Sequence, residues 1–230
     1  MPGAVRFLPS ECGFAFTNAW PVQPAVVLAT PFGTVDIGDA SAGLCGGMVF
    51  AALDYWHAGL TPPAVQPAQG EALFGYLVRR LIDSWHLPLG VMQYYQWMNL
   101  PAGDRTFTAF GRTVVVERGL AWRTIKVQWP QIADDLDHGI PVPLGVVTVE
   151  SRQLADLGHN HQVLATGYRT GDGTVTVEVY DPNQGRRDDI HLRFDPGTPT
   201  RPTVFDHNLD LDRPVRGFFR TAYAPCTPPT

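Results

Sequence analysis

Apolar positions follow two different rhythms along this chain. The run Met48-Val-Phe-Ala-Ala-Leu-Asp-Tyr-Trp-His-Ala58 is apolar on nearly every face. A helix without a polar stripe sits in the middle of a domain. Gly59 follows it, and Pro62-Pro63 stops it. Between Gln69 and Trp85, residues Leu73, Tyr76, Leu77, Arg80, Leu81 and Ser84 recur at helical spacing, which predicts a second helix ending before Pro88. A third is predicted from Val91 to Asn99, closed by Pro101.

Beyond that point the rhythm shortens toward the two-residue period of strands. Short strands are predicted over Thr106–Ala109 and Arg112–Glu117. A helix is predicted from Trp129 to His138, ending at Gly139, with Asp134, Asp135 and Asp137 toward solvent. Strand-like runs then cover Val142–Val149, His161–Tyr168, Thr174–Tyr180, Ile190–Phe194 and Gly217–Tyr223. Gly171-Asp172-Gly173 is a strong hairpin signal between two of them. Residues 1–40 read as an irregular arm, broken by Pro2, Pro9, Pro21, Pro24 and Pro31 and anchored by Phe14, Phe16 and Trp20. The expectation is an α+β fold in a single domain over 1–230: the arm (1–40), a helical lobe (41–101) and an antiparallel, β-rich lobe (102–230).

Composition narrows the class. A chain of 230 residues buries roughly 70–75% of its unfolded surface, so it needs neither disulfides nor a metal to hold a core. The formal charge, 17 − 22 = −5, argues against a nucleic-acid partner. No stretch approaches the roughly 20 apolar residues of a membrane span. Met1–Phe16 is broken by Pro9, Glu11 and Gly13 and lacks a signal-peptide core, which points to a cytoplasmic protein. Three cysteines (Cys12, Cys45, Cys226) make no disulfide framework, although Cys12 and Cys226 near the two ends are a conceivable pair.

Cys45 has the most informative surroundings. It opens the most apolar helix and is flanked by Gly43, Gly46 and Gly47. Helix N-termini stabilise a thiolate, and glycines let backbone or substrate approach the sulfur; a small apolar cap is the plainer alternative. A thiol nucleophile needs a base. His161 opens a strand whose alternate residues Val163, Ala165 and Gly167 are small, with His159 as its rival. Asp181 ends the next strand at a comparable distance from the turn (172 − 161 = 11 against 181 − 172 = 9), where it would orient the imidazole.

The run Asn160-His161-Gln162-Val163-Leu164-Ala165-Thr166-Gly167-Tyr168 resembles the histidine strand of papain-like cysteine proteases, and Tyr180-Asp181-Pro182-Asn183 is similar to the acidic motif of the leader-cleaving peptidase domains of bacterial exporters. The resemblance covers the topology from about Ser41 to Tyr223, with motif identity near Cys45, His161 and Asp181. It implies a papain-like fold whose helical lobe carries a central nucleophile-bearing helix and whose β lobe carries the base. It also implies a Cys45–His161–Asp181 triad acting on a peptide or other amide, with no cofactor. Two positions depart from the family. Asp39 stands six residues before Cys45, where the family has a glutamine that donates to the oxyanion; losing one such donor typically costs about 10²–10³ in rate. Asn18 and Gln23 in the arm are possible substitutes. Gly46-Gly47 stand where a bulky aromatic is usual.

Other groupings rank lower. His159-Asn160-His161 lacks partners at metal-ligand spacing. Asp206-His207-Asn208-Leu209-Asp210-Leu211-Asp212 lacks the glycine and terminal glutamate of an EF-hand loop and reads as a solvated loop. Arg186-Arg187 before Asp188-Asp189 reads as surface charge. The expected function is a cysteine-dependent hydrolase. An acyltransferase using the same triad, and a papain-like domain that only binds peptides or partners, are the alternatives. Substrate identity and oligomeric state are not encoded in any of these patterns.

Overall fold

The computed structural model describes residues 6–20, 26–30, 33–37, 44–85 and 89–230. Asp39 and Gln23, the two oxyanion positions weighed above, lie outside them, as do Pro2, Pro21, Pro24, Pro31, Ser41, Gly43 and Pro88. Helix and sheet are mixed, consistent with an α+β chain, and the helices are concentrated before the main sheet.

Four helices lie in the first hundred residues: α1 (Pro9–Cys12), α2 (Cys45–His57), α3 (Ala72–Ser84) and α4 (Leu89–Met98). Ten consecutive residues of α2, Gly46–Tyr55, are buried, as the absence of a polar stripe demands. The approach of α3 is equally tight: a Cβ on Gly47 would fall 2.1 Å from the Leu77 carbonyl oxygen. Phe7, Phe14, Phe16 and Trp20 of the N-terminal segment join this core beside Met48, Phe50 and Leu81.

That segment is less irregular than its prolines suggest. Besides α1 it contains an antiparallel hairpin, β1 (Val26–Thr30) with β2 (Gly33–Ile37). Val-Val-Leu-Ala-Thr and Gly-Thr-Val-Asp-Ile are strand-forming runs in which β-branched residues outweigh the flanking prolines. A second separate ribbon follows α4, formed by β3 (Arg105–Ala109) and β4 (Arg112–Glu117).

The next helical stretch begins earlier than predicted. It runs as α5 (Leu120–Trp122), π-helical turns over Arg123–Gln128, and α6 (Trp129–Asp137). Pro130 has no N–H to donate, and its ring would crowd the carbonyl four residues back in an α-helix. Wider π turns just before it relieve both problems. Of the three aspartates placed toward solvent, Asp135 is partly buried and pairs with Arg220 at 2.7 Å.

Six antiparallel strands form the main sheet in the order β10-β5-β6-β7-β8-β9. They are β5 (Val142–Val147), β6 (His161–Gly171), β7 (Thr174–Tyr180), β8 (His191–Phe194), β9 (Asp206–His207) and β10 (Gly217–Arg220). Leu164 and Tyr180 project into the helical core. The alternate positions Val163, Ala165, Val177 and Val179 pack in a second core with Ile125 and Ile132. After β10 the chain returns across α2 and α3. There the Tyr223 hydroxyl (2.7 Å) and the Cys226 amide (2.8 Å) donate to the buried Asp54 carboxylate. No helix among the described residues is long and apolar enough to cross a membrane.

Candidate active site

Two local features bring His161 and Asp181 together. The first is the turn Asp172-Gly173, with φ of +50° and +74°, the two-residue form that the Gly-Asp-Gly sequence announces. The second is a bulge. Pairing across β6 and β7 runs from Gly171↔Thr174 to Gly167↔Glu178, and then shifts by one residue to Ala165↔Val179 and Leu164↔Tyr180. In an unshifted ladder Asp181 would lie opposite Leu164, on the face away from His161. The extra residue, Thr166, reverses that parity and puts Asp181 on the His161 face. The comparable turn distances read from the sequence held the pairing but not the bulge that makes it productive.

His161 Nε2 lies 2.8 Å from Asp181 Oδ1 in a buried pair. The carboxylate is saturated with donors: the Asn183 amide at 2.9 Å, the Asp210 amide at 3.3 Å and Gln184 Nε2 at 3.5 Å. Burial alone would raise the Asp181 pKa, but the imidazole and these amides outweigh it and hold the carboxyl below its ordinary value. Burial alone would likewise lower the His161 pKa; Asp181, and then a hydrogen bond and charge interaction with Cys45, push it up to about 10. With Nε2 committed to Asp181, Nδ1 is the ring nitrogen left for the thiol.

Cys45 is the first residue of α2 and is half-buried. The N-cap residue, Leu44, offers no capping side chain, and among the described residues none caps the helix, so its first-turn amides are placed to meet a developing negative charge. The glycines after it make room for protein. A Cβ on Gly46 would fall 2.1 Å from Gln162 Oε1 and 2.5 Å from Ser84 Oγ. Gln162, from the histidine strand, fills the volume that an aromatic at position 46 would take. The structure therefore brings all three predicted residues together.

Sequence reasoning assigned several neighbours differently. Asn18 Oδ1 accepts from the Leu44 amide at 2.9 Å, and its Nδ2 donates to Asn183 Oδ1 at 3.1 Å. Its amide thus joins the start of α2 to the turn after Asp181. His159, the rival base, lies on a 3₁₀ turn (Leu154–His159) with Nδ1 3.4 Å from Asp156. The acidic stretch 206–212 is not merely solvated: Asp210 donates to Asp181, and the Asn208 carbonyl accepts from Gln184 at 2.7 Å. Arg186 is partly buried and donates to the Gly13 carbonyl at 2.9 Å, while Arg187 pairs with Asp189 at the surface.

Tyr94 escaped the sequence reading. Its hydroxyl donates to the His161 carbonyl at 3.1 Å, and burial, with the nearby Cys45, raises its pKa. One of three aromatics on α4, beside Tyr95 and Trp97, it carried no signal for this. Cys12 and Cys226 are free thiols, not a disulfide. No three His, Cys, Asp or Glu side chains converge on a metal position among the described residues. No family model matches the chain, and no curated protein or solved structure matches it either.

Proposed function

We propose that this chain is a cysteine-dependent hydrolase of a peptide or other amide, built on a papain-like arrangement of a helical and a β lobe. The observation that carries the reading is the buried relay from Asp181 through His161 to Cys45 at the head of α2. An imidazole held protonated by a buried carboxylate is the counter-charge a thiolate needs. In this reading Cys45 Sγ adds to the substrate carbonyl, and the Cys45 amide faces the oxyanion. His161 delivers its proton to the leaving amine, and the thioester is then cleaved by water that His161 deprotonates. Asp181 fixes the imidazole tautomer throughout. A buried carboxylate set against a histidine beside a cysteine is a charge arrangement that catalysis uses and that peptide binding alone does not need, which favours catalysis.

The test is the alkylation rate of Cys45 by iodoacetamide against pH, in the wild type and in His161→Ala. The expected result is an inflection well below the free-thiol value of about 8.5, lost in the variant. An inert Cys45, or one indifferent to the substitution, sinks the reading and leaves a binding domain. If the thiol is activated, partition of the acyl group between water and added amine separates hydrolysis from acyl transfer.

A further inference from the structure

The β3–β4 ribbon belongs to none of the hydrophobic cores, and nearly every residue of it is exposed. It is braced only at its base, by Arg105 on Glu117 and by Asp104, which accepts from Arg118 and from the Gly119 amide. Register puts Phe107 opposite Val114 and Ala109 opposite Arg112 on one face. The other face is Thr106, Thr108, Thr113 and Val115, with the Thr108 and Thr113 hydroxyls 2.9 Å apart. The ribbon is therefore amphipathic, yet its apolar face covers no core among the described residues.

Its tip is more telling. Phe110 and Gly111 form a two-residue loop with φ of +50° and +72°. Asn, Asp or Gly is the ordinary choice at the first of these positions, and a bulky residue there is strained by roughly 1–3 kcal/mol. The Phe110 ring is fully exposed, and Phe107 behind it is 63% exposed. Among the described residues no contact offsets the strain.

Charge identifies the kind of surface this tip would meet. The ribbon with its brace, residues 104–118, carries Arg105, Arg112 and Arg118 against Asp104 and Glu117, a local excess of 3 − 2 = +1 in a chain of net −5. The pairs Arg105–Glu117 and Arg118–Asp104 leave Arg112 as its free charge. Arg112, two residues from the tip, makes no ion pair among the described residues. We propose that this ribbon is an interfacial anchor for an anionic lipid surface. Phe110 enters the headgroup–acyl boundary with Phe107 and Val114 behind it, and Arg112 meets lipid phosphate. At about 3.4 Å per residue, Phe107 lies roughly 10 Å behind the tip, within the depth of about 5–10 Å that interfacial elements reach. A fluid lipid boundary surrounds a narrow tip from every side, whereas a protein groove covers one face. A second copy docked tip to tip about a two-fold axis would set Arg112 against Arg112.

The experiment is vesicle flotation of the intact protein with phosphatidylcholine alone and with phosphatidylcholine mixed with phosphatidylglycerol. Wild type is expected to float only with the anionic vesicles and to be released by salt. Phe110→Asn should weaken binding about 10–100-fold and Arg112→Ala about fivefold. Asn suits the left-handed position, so the thermal midpoint of Phe110→Asn should hold or rise, separating lost docking from lost fold. Failure to float at any composition overturns the proposal. So does equal binding by Phe110→Asn. Self-association without flotation, abolished by Phe110→Asn, also overturns it and assigns the tip to a second copy.

Discussion

Asp181 illustrates how much chemistry one buried carboxylate controls. It accepts from a charged imidazole and from two backbone amides, so Asp181→Asn keeps the volume but reverses the hydrogen-bond demand on His161 Nε2. Under the proposed mechanism the variant should lose about 10⁴ of turnover with its fold retained; a turnover assay beside a circular-dichroism spectrum checks both halves. Stability should report the same pair. The His161 pKa is raised, so its contribution is full below about 6.5 and fades as pH climbs toward about 10. The Asp181 pKa is lowered, so its contribution is present above the usual carboxylate value of about 3.9 and is lost on further acidification. Thermal midpoints should therefore plateau between those two ordinary values and decline toward alkaline pH. His161→Gln should flatten the alkaline decline, and an unchanged slope in that variant would remove the pair as its cause.

At the scale of elements, Gly46 and Gly47 look alike in sequence and differ in what opposes them. A Cβ on Gly47 meets the Leu77 backbone, whereas one on Gly46 meets the ends of the Gln162 and Ser84 side chains. Gly47→Ala must push α2 and α3 apart, at a cost of about 1–3 kcal/mol. Gly46→Ala should cost less and should alter Cys45 alkylation, because it displaces the Gln162 amide next to the nucleophile. Denaturant melts of both variants, with Cys45 alkylation rates, distinguish the two effects.

Helices α2, α3 and α4 were legible because local spacing and local breakers define them; α1 and the stretch 120–128 were not. The β6–β7 turn was legible because Asp-Gly dictates its own backbone. The bulge at Thr166 was not, since one extra residue on one strand is chosen by which side chains the cores must bury, and no dipeptide announces it. Nor was the role of Asn18, whose partners lie 26 and 165 residues away. A signal existed for Asp54: it is the one acid in an otherwise apolar helix, and Arg80 sits in the buried row of the next one.

Across the whole molecule, the Asp54–Arg80 pair anchors the C-terminal strap. Asp54 Oδ2 contacts Arg80 Nε at 2.7 Å and accepts from Tyr76 at 2.7 Å, and Arg80 Nη2 donates to the Ala224 carbonyl at 2.8 Å. Tyr223→Phe removes one donor from a buried carboxylate. It should cost about 1.5–3 kcal/mol, at about 2–4 °C of thermal midpoint per kcal/mol for a chain of this length. Calorimetry of that single variant measures the strap without deleting it, and an unshifted midpoint would show that the strap is ornamental.

The strap also sets an order in time. Asp54 emerges early in synthesis, yet two of its hydrogen-bond donors stand 169 and 172 residues later. Arg6 likewise waits for Glu178, 172 residues on. Contacts of such long range are slow to form, and here they close last of all. The nascent helical half should stay open to proteases until residues 223–226 have left the ribosome and can reach Asp54. Pulse proteolysis of chains stalled on an added C-terminal spacer, short enough to keep residue 226 inside the exit tunnel or long enough to expose it, would show whether that final stitch is what locks the molecule.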